Sequence, residues 1–127
     1  MPKSIKAIRK NKNFTVNGRL WMEVEGIRFF GPGPIELLER INATGSINKA
    51  AKEMKMSYKK AWEIINNLNE QSAKPMVITH AGGTKGGGSE ISDEAKKLMT
   101  YYRSLRERFK KFLEKETEKL SMKRSGK

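Results

Sequence analysis

The stretch SINKAAKEMKMSYKKAWEIINNLN, residues 46–69, decides the fold. Ser46 carries the short hydroxyl that satisfies backbone N–H groups at a helix start, and Ile47, Ala50, Ala51 and Met54 follow on one helical face. Ser57 repeats the device, and Ala61, Ile65 and Leu68 mark the inward face of a second helix, with Ile64 flanking it. Between the two, Lys55-Met56 leaves room for a short turn only. Small Ala51 lets the helices approach and Ala61 faces back into the pair, the separation a helix-turn-helix requires. Glycine usually occupies such a turn; Lys55 stands there instead and is expected to adopt the required conformation at some energetic cost.

Upstream, Gly31-Pro32-Gly33-Pro34 punctuates the chain, and Pro34 suits the first turn of a helix. Ile35, Leu38 and Ile41 form the inward face of that helix with Leu37 beside them, and Gly45 stops it after Thr44. Earlier still, Asn17-Gly18 favours positive φ and a tight turn. Leu20, Met22 and Val24 alternate with Trp21, Glu23 and Glu25, and Gly26 breaks the run before Ile27-Arg28-Phe29-Phe30, which predicts short strands or a hairpin. After Pro75, residues 76–79 read as a strand, 82–88 as a glycine-rich loop and 89–91 as a returning strand. Ser92 caps a long last helix whose Asp93 and Glu94 complement its dipole.

The predicted fold class is α+β, mainly α: a winged helix-turn-helix with N-terminal short strands and a long C-terminal dimerisation helix. Residues 1–13 read as a basic arm, 14–120 as one domain that includes the long helix, and 121–127 as a basic tail. In that helix Ala95, Leu98, Tyr102, Leu105, Phe109 and Phe112 alternate at spacings of three and four, a coiled-coil seam. Part of the seam can dock on the domain's own core. The helix outruns the short elements before it, so Leu98, Tyr102, Leu105, Phe109 and Phe112 are expected to pair with a second copy.

Composition narrows function. Lys and Arg number 27 against 14 acids in 127 residues, a formal charge of +13. Such a field favours a polyanion, although a lysine-rich solvated surface has the same composition. No run approaches the length of a membrane span, no secretion signal opens the chain, and there is no cysteine for disulfide or thiolate chemistry. The expected compartment is the cytoplasm, with no membrane partner, no cofactor and no metal.

The helix opening at Ser57 presents Tyr58, Lys59, Lys60, Glu63, Asn66 and Asn67 away from its apolar face. Hydroxyls and lysines reach phosphate oxygens or base edges, and asparagine pairs with adenine, so double-stranded DNA is the expected partner. Any solvated helix shows such residues; the charge and the place in a helix-turn-helix favour DNA. Trp62 either packs on the strands or flanks the DNA backbone. The glycine segment is not a P-loop, since Gly88 is followed by Ser89 without the lysine. Lys85, Gly86 and Gly87 instead suit a wing along the sugar-phosphate backbone, or a merely flexible loop. His80, the lone histidine, has no obvious acid partner in the sequence, and no enzyme is expected.

With these residues in place, Gly45-Ser46-Ile47, Ala50-Ala51-Lys52 and the run from Met56 to Asn66 resemble the DNA-binding domain of the ModE-type molybdate-responsive transcription regulators. That family carries a very similar Ser-Tyr-Lys-x-Ala-Trp run and a comparable glycine-lysine wing. The resemblance covers about residues 31 to 113; more distantly, the helix-turn-helix looks like that of LysR-type regulators. It implies a winged helix, a dimer built on the first strand region and the last helix, and operator DNA read by Ser57, Tyr58, Lys59 and Lys60 with Ser46 nearby and Lys85 on the wing. A full ModE regulator continues into molybdate-binding domains, so no molybdate is expected on this chain, and metal-linked regulation would need a separate partner. A sequence-specific regulator is thus the leading expectation, with a non-specific architectural chromatin protein as the alternative. RNA binding ranks below both, because exposed aromatic platforms are not evident.

Overall fold

A computed structural model describes residues 5–81 and 88–124, whose contacts gather into two compact units: Trp21–Tyr102, and Met1–Leu20 with Arg103–Lys127. In chain order the elements are β1 (Met22–Val24), β2 (Ile27–Phe30), α1 (Pro32–Thr44), α2 (Ile47–Glu53), α3 (Tyr58–Gln71), β3 (Val77–His80), β4 (Gly88–Ile91) and α4 (Asp93–Arg124). This is the expected mainly helical α+β winged helix-turn-helix.

Each boundary has a local cause. Strands β1 and β2 pair antiparallel around Glu25 and Gly26, at φ 50° and 82°. Two consecutive positive φ values match the right-handed twist of the strands they join. The tight turn expected at Asn17-Gly18 does not form, because the positive-φ glycines of the described residues are Gly26 and Gly45. Helix α1 begins at Pro32, two residues before Pro34, with Gly31 as an N-cap that has no side chain. It ends at Gly45, φ 70°, whose N–H donates to the Ile41 carbonyl at 2.7 Å.

Helices α2 and α3 start as their serines dictate. The Ser46 hydroxyl accepts from the Lys49 N–H at 3.1 Å and Ser57 from Lys60 at 3.0 Å. The turn between them is a Schellman motif: Met56 N–H donates to the Ala51 carbonyl at 3.0 Å and Lys55 N–H to that of Lys52 at 3.1 Å. Lys55 sits at φ 56°, as its place in the turn demands.

Within Trp21–Tyr102 the core is apolar throughout. Phe30, Leu37, Leu38, Ile41, Ala50, Ala61, Ile65 and Leu68 are fully buried, and no described polar or charged residue joins them. Helix α4 turns Ala95, Met99 and Tyr102 inward. Tyr102 meets Phe30 edge to face, ring centroids 5.3 Å apart at 84°. Of the seam residues in this part of α4, Ala95 and Tyr102 enter the domain's own core. Met99 is buried, whereas Leu98 is half-buried and lines a half-open pocket of about 400 Å³ with Phe29 and Met76.

Arg40 links α1 to α2 through Glu53 at 2.9 Å, with Glu36 at 3.5 Å. The hydrogen bond that Arg40 donates to the Glu53 carboxylate raises the guanidinium pKa above its ordinary value. The pair is substantially exposed and adds little to stability.

In the other unit, the segment before β1 lies on the distal part of α4. Val16 N–H donates to Thr117 Oγ1 at 2.9 Å, and a Cβ on Gly18 would stand 3.1 Å from Phe109 Cζ. Gly18 is glycine there for close approach, not for a left-handed turn.

Candidate nucleic-acid interface

Helix α3 has two faces of opposite chemistry. Ala61, Ile65 and Leu68 are 0% exposed, so the opposite side must face solvent. Ser57, Tyr58, Lys59 and Lys60 are exposed in the capped first turn, and Glu63 and Asn66 continue the outward face. Ser57 spends its hydroxyl oxygen on the Lys60 N–H, which fixes the angle at which that turn projects. Lys60 and Glu63 approach only to 4.0 Å, a loose exposed pair that leaves both ready for other partners.

Tyr58 and Trp62 meet edge to face, ring centroids 6.1 Å apart. Trp62 is half-buried and packs against this neighbour on its own helix. Tyr58 is 52% exposed in the same first turn as Lys59 and Lys60.

Two of the expected residues also make contacts within the protein. Asn67 is half-buried on the flank of α3, where Nδ2 donates to the Arg28 carbonyl at 3.3 Å. One amide donor is therefore engaged by β2. Ser46 is half-buried and engaged on three sides: it caps Lys49, its N–H donates to Thr44 Oγ1 at 3.2 Å, and its carbonyl accepts from that hydroxyl at 3.1 Å.

Strands β3 and β4 form the antiparallel wing, with Val77 opposite Ile91 and His80 opposite Gly88. Ser89 N–H, next to the loop end of the paired strands, donates to the Gly45 carbonyl at 2.9 Å and joins β4 to the α1–α2 corner. The approach is close: a Cβ on Gly88 would stand 3.3 Å from the Gly45 oxygen. Lys85, Gly86 and Gly87, expected at the wing tip, lie outside the described residues. His80 does have an acid partner: Nε2 lies 3.1 Å from Glu90 Oε1, in an exposed pair across the wing. Sequence separation hid this contact, which the strand register creates.

Sequence reasoning missed Asn69. Its Oδ1 accepts from the N–H groups of Met76 at 2.8 Å and Val77 at 3.2 Å, and Nδ2 donates to the Val77 carbonyl at 3.3 Å. One side chain thus sets where the wing leaves α3.

The residues expected on the dimer seam divide. Tyr102 is 0% exposed in its own core and has no surface left for a partner, a correction caused by its packing on Phe30. Phe109 is half-buried with its ring against Gly18. Leu98 and Leu105 are half-buried, and Phe112 is 55% exposed. Among the described residues, no cluster of three or more His, Cys, Asp or Glu is placed to hold a metal, and no helix is long and apolar enough to cross a membrane.

A capped helix with a basic, polar outward face, preceded by a short helix and followed by a two-stranded wing, defines a winged helix-turn-helix protein. No family model matches the chain. It is 39% identical over 87 residues to "Molybdenum transport protein ModE" of Azotobacter vinelandii, an alignment covering 68% of this chain and 32% of that protein. It is 36% identical over 83 residues to "Transcriptional regulator ModE" of Haemophilus influenzae, covering 65% and 32%. It is 35% identical over 83 residues to "DNA-binding transcriptional dual regulator ModE" of Escherichia coli K12, again covering 65% and 32%. The chain is a homologue of the N-terminal portion of the ModE transcription regulators and spans about a third of the length of these curated relatives.

Proposed function

We propose that this chain binds double-stranded DNA in a sequence-dependent way and regulates transcription. The observation that carries the reading is the opposition on α3, where Ala61, Ile65 and Leu68 are fully buried while Ser57, Tyr58, Lys59 and Lys60 stand exposed at the capped end. A helix tip of this kind is narrow enough for the major groove and offers donors to phosphates and base edges. Glu63 and Asn66 lie one to two turns further along the outward face and supply an acceptor for cytosine and a bidentate partner for adenine. The wing segment that contains Lys85, Gly86 and Gly87 in sequence is assigned to the neighbouring DNA backbone. The names of the relatives describe regulators and transport or binding proteins, which agrees with a role free of catalysis.

The protein is further proposed to act as a homodimer through the distal part of α4. Phe112 is 55% exposed there, and Leu105 lies seven residues before it on the same helical face. Sedimentation tests this: Phe112→Glu shifts the protein toward monomer, and an unchanged dimer removes the seam from the reading.

A formal charge of +13 also suits an architectural protein that coats DNA without reading it. Selection of bound fragments from genomic DNA separates the two. The regulator reading predicts enrichment of a shared sequence; recovery of fragments in proportion to their abundance supports coating.

A further inference from the structure

The β1–β2 hairpin carries a cation whose position the core does not require. Arg28 is exposed on β2, and its guanidinium carbon lies 4.3 Å from the centroid of the Trp21 ring. Trp21 is itself held, since Nε1–H donates to Glu23 Oε2 at 2.8 Å. Glu23 and Arg28 are partners across the hairpin, so strand register delivers the cation to the ring. Among the described residues no carboxylate pairs with Arg28.

Stacking face-on against an aromatic ring fixes the plane of a guanidinium and leaves its in-plane N–H groups at the edge. Five donors in one plane match two oxygens of a phosphodiester better than any neutral ligand. Held over the Trp21 ring, Arg28 has these donors to offer to a phosphate.

Its location follows from α3. The Arg28 carbonyl accepts from Asn67 Nδ2 at 3.3 Å. Asn67 is seven residues after Lys60, two turns along the same flank of the helix and about 10 Å further on. When a helix tip occupies the major groove, the phosphates bordering that groove run along the flanks of the helix, not along its outward face. The backbone of Arg28 thus lies against the Asn67 end of the helical flank that starts at Lys60.

We infer that Arg28 binds a phosphate of the duplex backbone beside the groove that α3 enters, with Trp21 as the residue that positions it. The inference rests on the DNA-binding reading of α3. It assigns the N-terminal hairpin a sequence-independent contact, separate from the base-reading face.

The test is the salt dependence of binding to a duplex, measured for the wild-type protein, Arg28→Gln, Arg28→Lys and Trp21→Leu, with thermal melting to show that each is folded. Loss of one phosphate contact makes the slope of log K against log[salt] shallower by about one. Arg28→Gln is expected to show that change, with a several-fold loss of affinity that is equal for selected and unrelated duplexes. Arg28→Lys keeps the slope and binds more weakly, because charge remains and the planar fork is gone. Trp21→Leu likewise keeps the slope and loses several-fold in affinity. An Arg28→Gln slope equal to wild type, alongside a shallower one for Lys59→Ala with Lys60→Ala, overturns this inference and leaves the α3 reading standing. A loss confined to one duplex sequence also overturns it, since a phosphate contact cannot tell sequences apart. Salt-independent or absent binding by the wild type removes the α3 reading and this contact with it.

Discussion

Met56 N–H bonds to the Ala51 carbonyl at 3.0 Å, and this one contact spans the turn on which the helix-turn-helix depends. Between them Lys55 is held at φ 56°. A side chain in the left-handed region costs about 1 kcal/mol or more relative to glycine, partly offset by the greater backbone entropy that glycine loses on folding. Lys55→Gly should therefore stabilise the fold by up to about 1 kcal/mol, read as a higher urea midpoint with unchanged slope. A lower midpoint would mean that the turn is not strained.

Asn69 holds the junction of α3 and β3 by bonding Met76 and Val77, which are 2% and 3% exposed. Removing the amide leaves two N–H groups without their side-chain acceptor. Asn69→Ala should cost about 2 kcal/mol, the scale of unsatisfied buried donors. Asn69→Asp keeps both acceptor contacts and should lose less than half of that. Equal stability of wild type and Asn69→Ala in urea would show that the junction is held by strand pairing alone.

The contrast between these two positions shows what the sequence displays. Ser46, Ser57, Ser92 and Gly45 act on backbone groups within four residues of themselves, so their helix ends were legible. Pro32 and Pro34 both suit a first helical turn, and the side-chain-free cap at Gly31 left nothing to choose between them. Asn67 and Asn69 look alike in sequence, yet their partners lie 39 residues back and seven or eight residues on, fixed only by packing. The same limit hid the pairings of Trp21 with Arg28 and His80 with Glu90, which strand register creates. The outward face of α3 was legible because its buried face was. Along α4 the seam spacing did not display Met99, which is buried beside Ala95 and Tyr102 where the Tyr102–Phe30 contact seats the helix on the core.

Gly18 stands against the Phe109 ring with no room for a branched side chain. Gly18→Val should loosen the segment bound to the distal part of α4 at a local cost of about 1 kcal/mol, in the range for overpacking. Hydrogen exchange of the Val16 amide, which donates to Thr117, reports on this directly. Faster exchange at Val16 with unchanged protection in α1 is the expected result; unchanged exchange would show that the ring yields freely.

The exposed tip of α3 as the surface that meets duplex DNA is tested most directly by one comparison: equilibrium binding of a fluorescent duplex by wild type and by Lys59→Ala with Lys60→Ala over a series of salt concentrations. Both lysines are exposed and outside the core, so melting should not change. The double variant should bind at least about tenfold more weakly, and its slope of log K against log[salt] should be shallower by up to about two. Affinity and slope equal to those of the wild type would contradict the account.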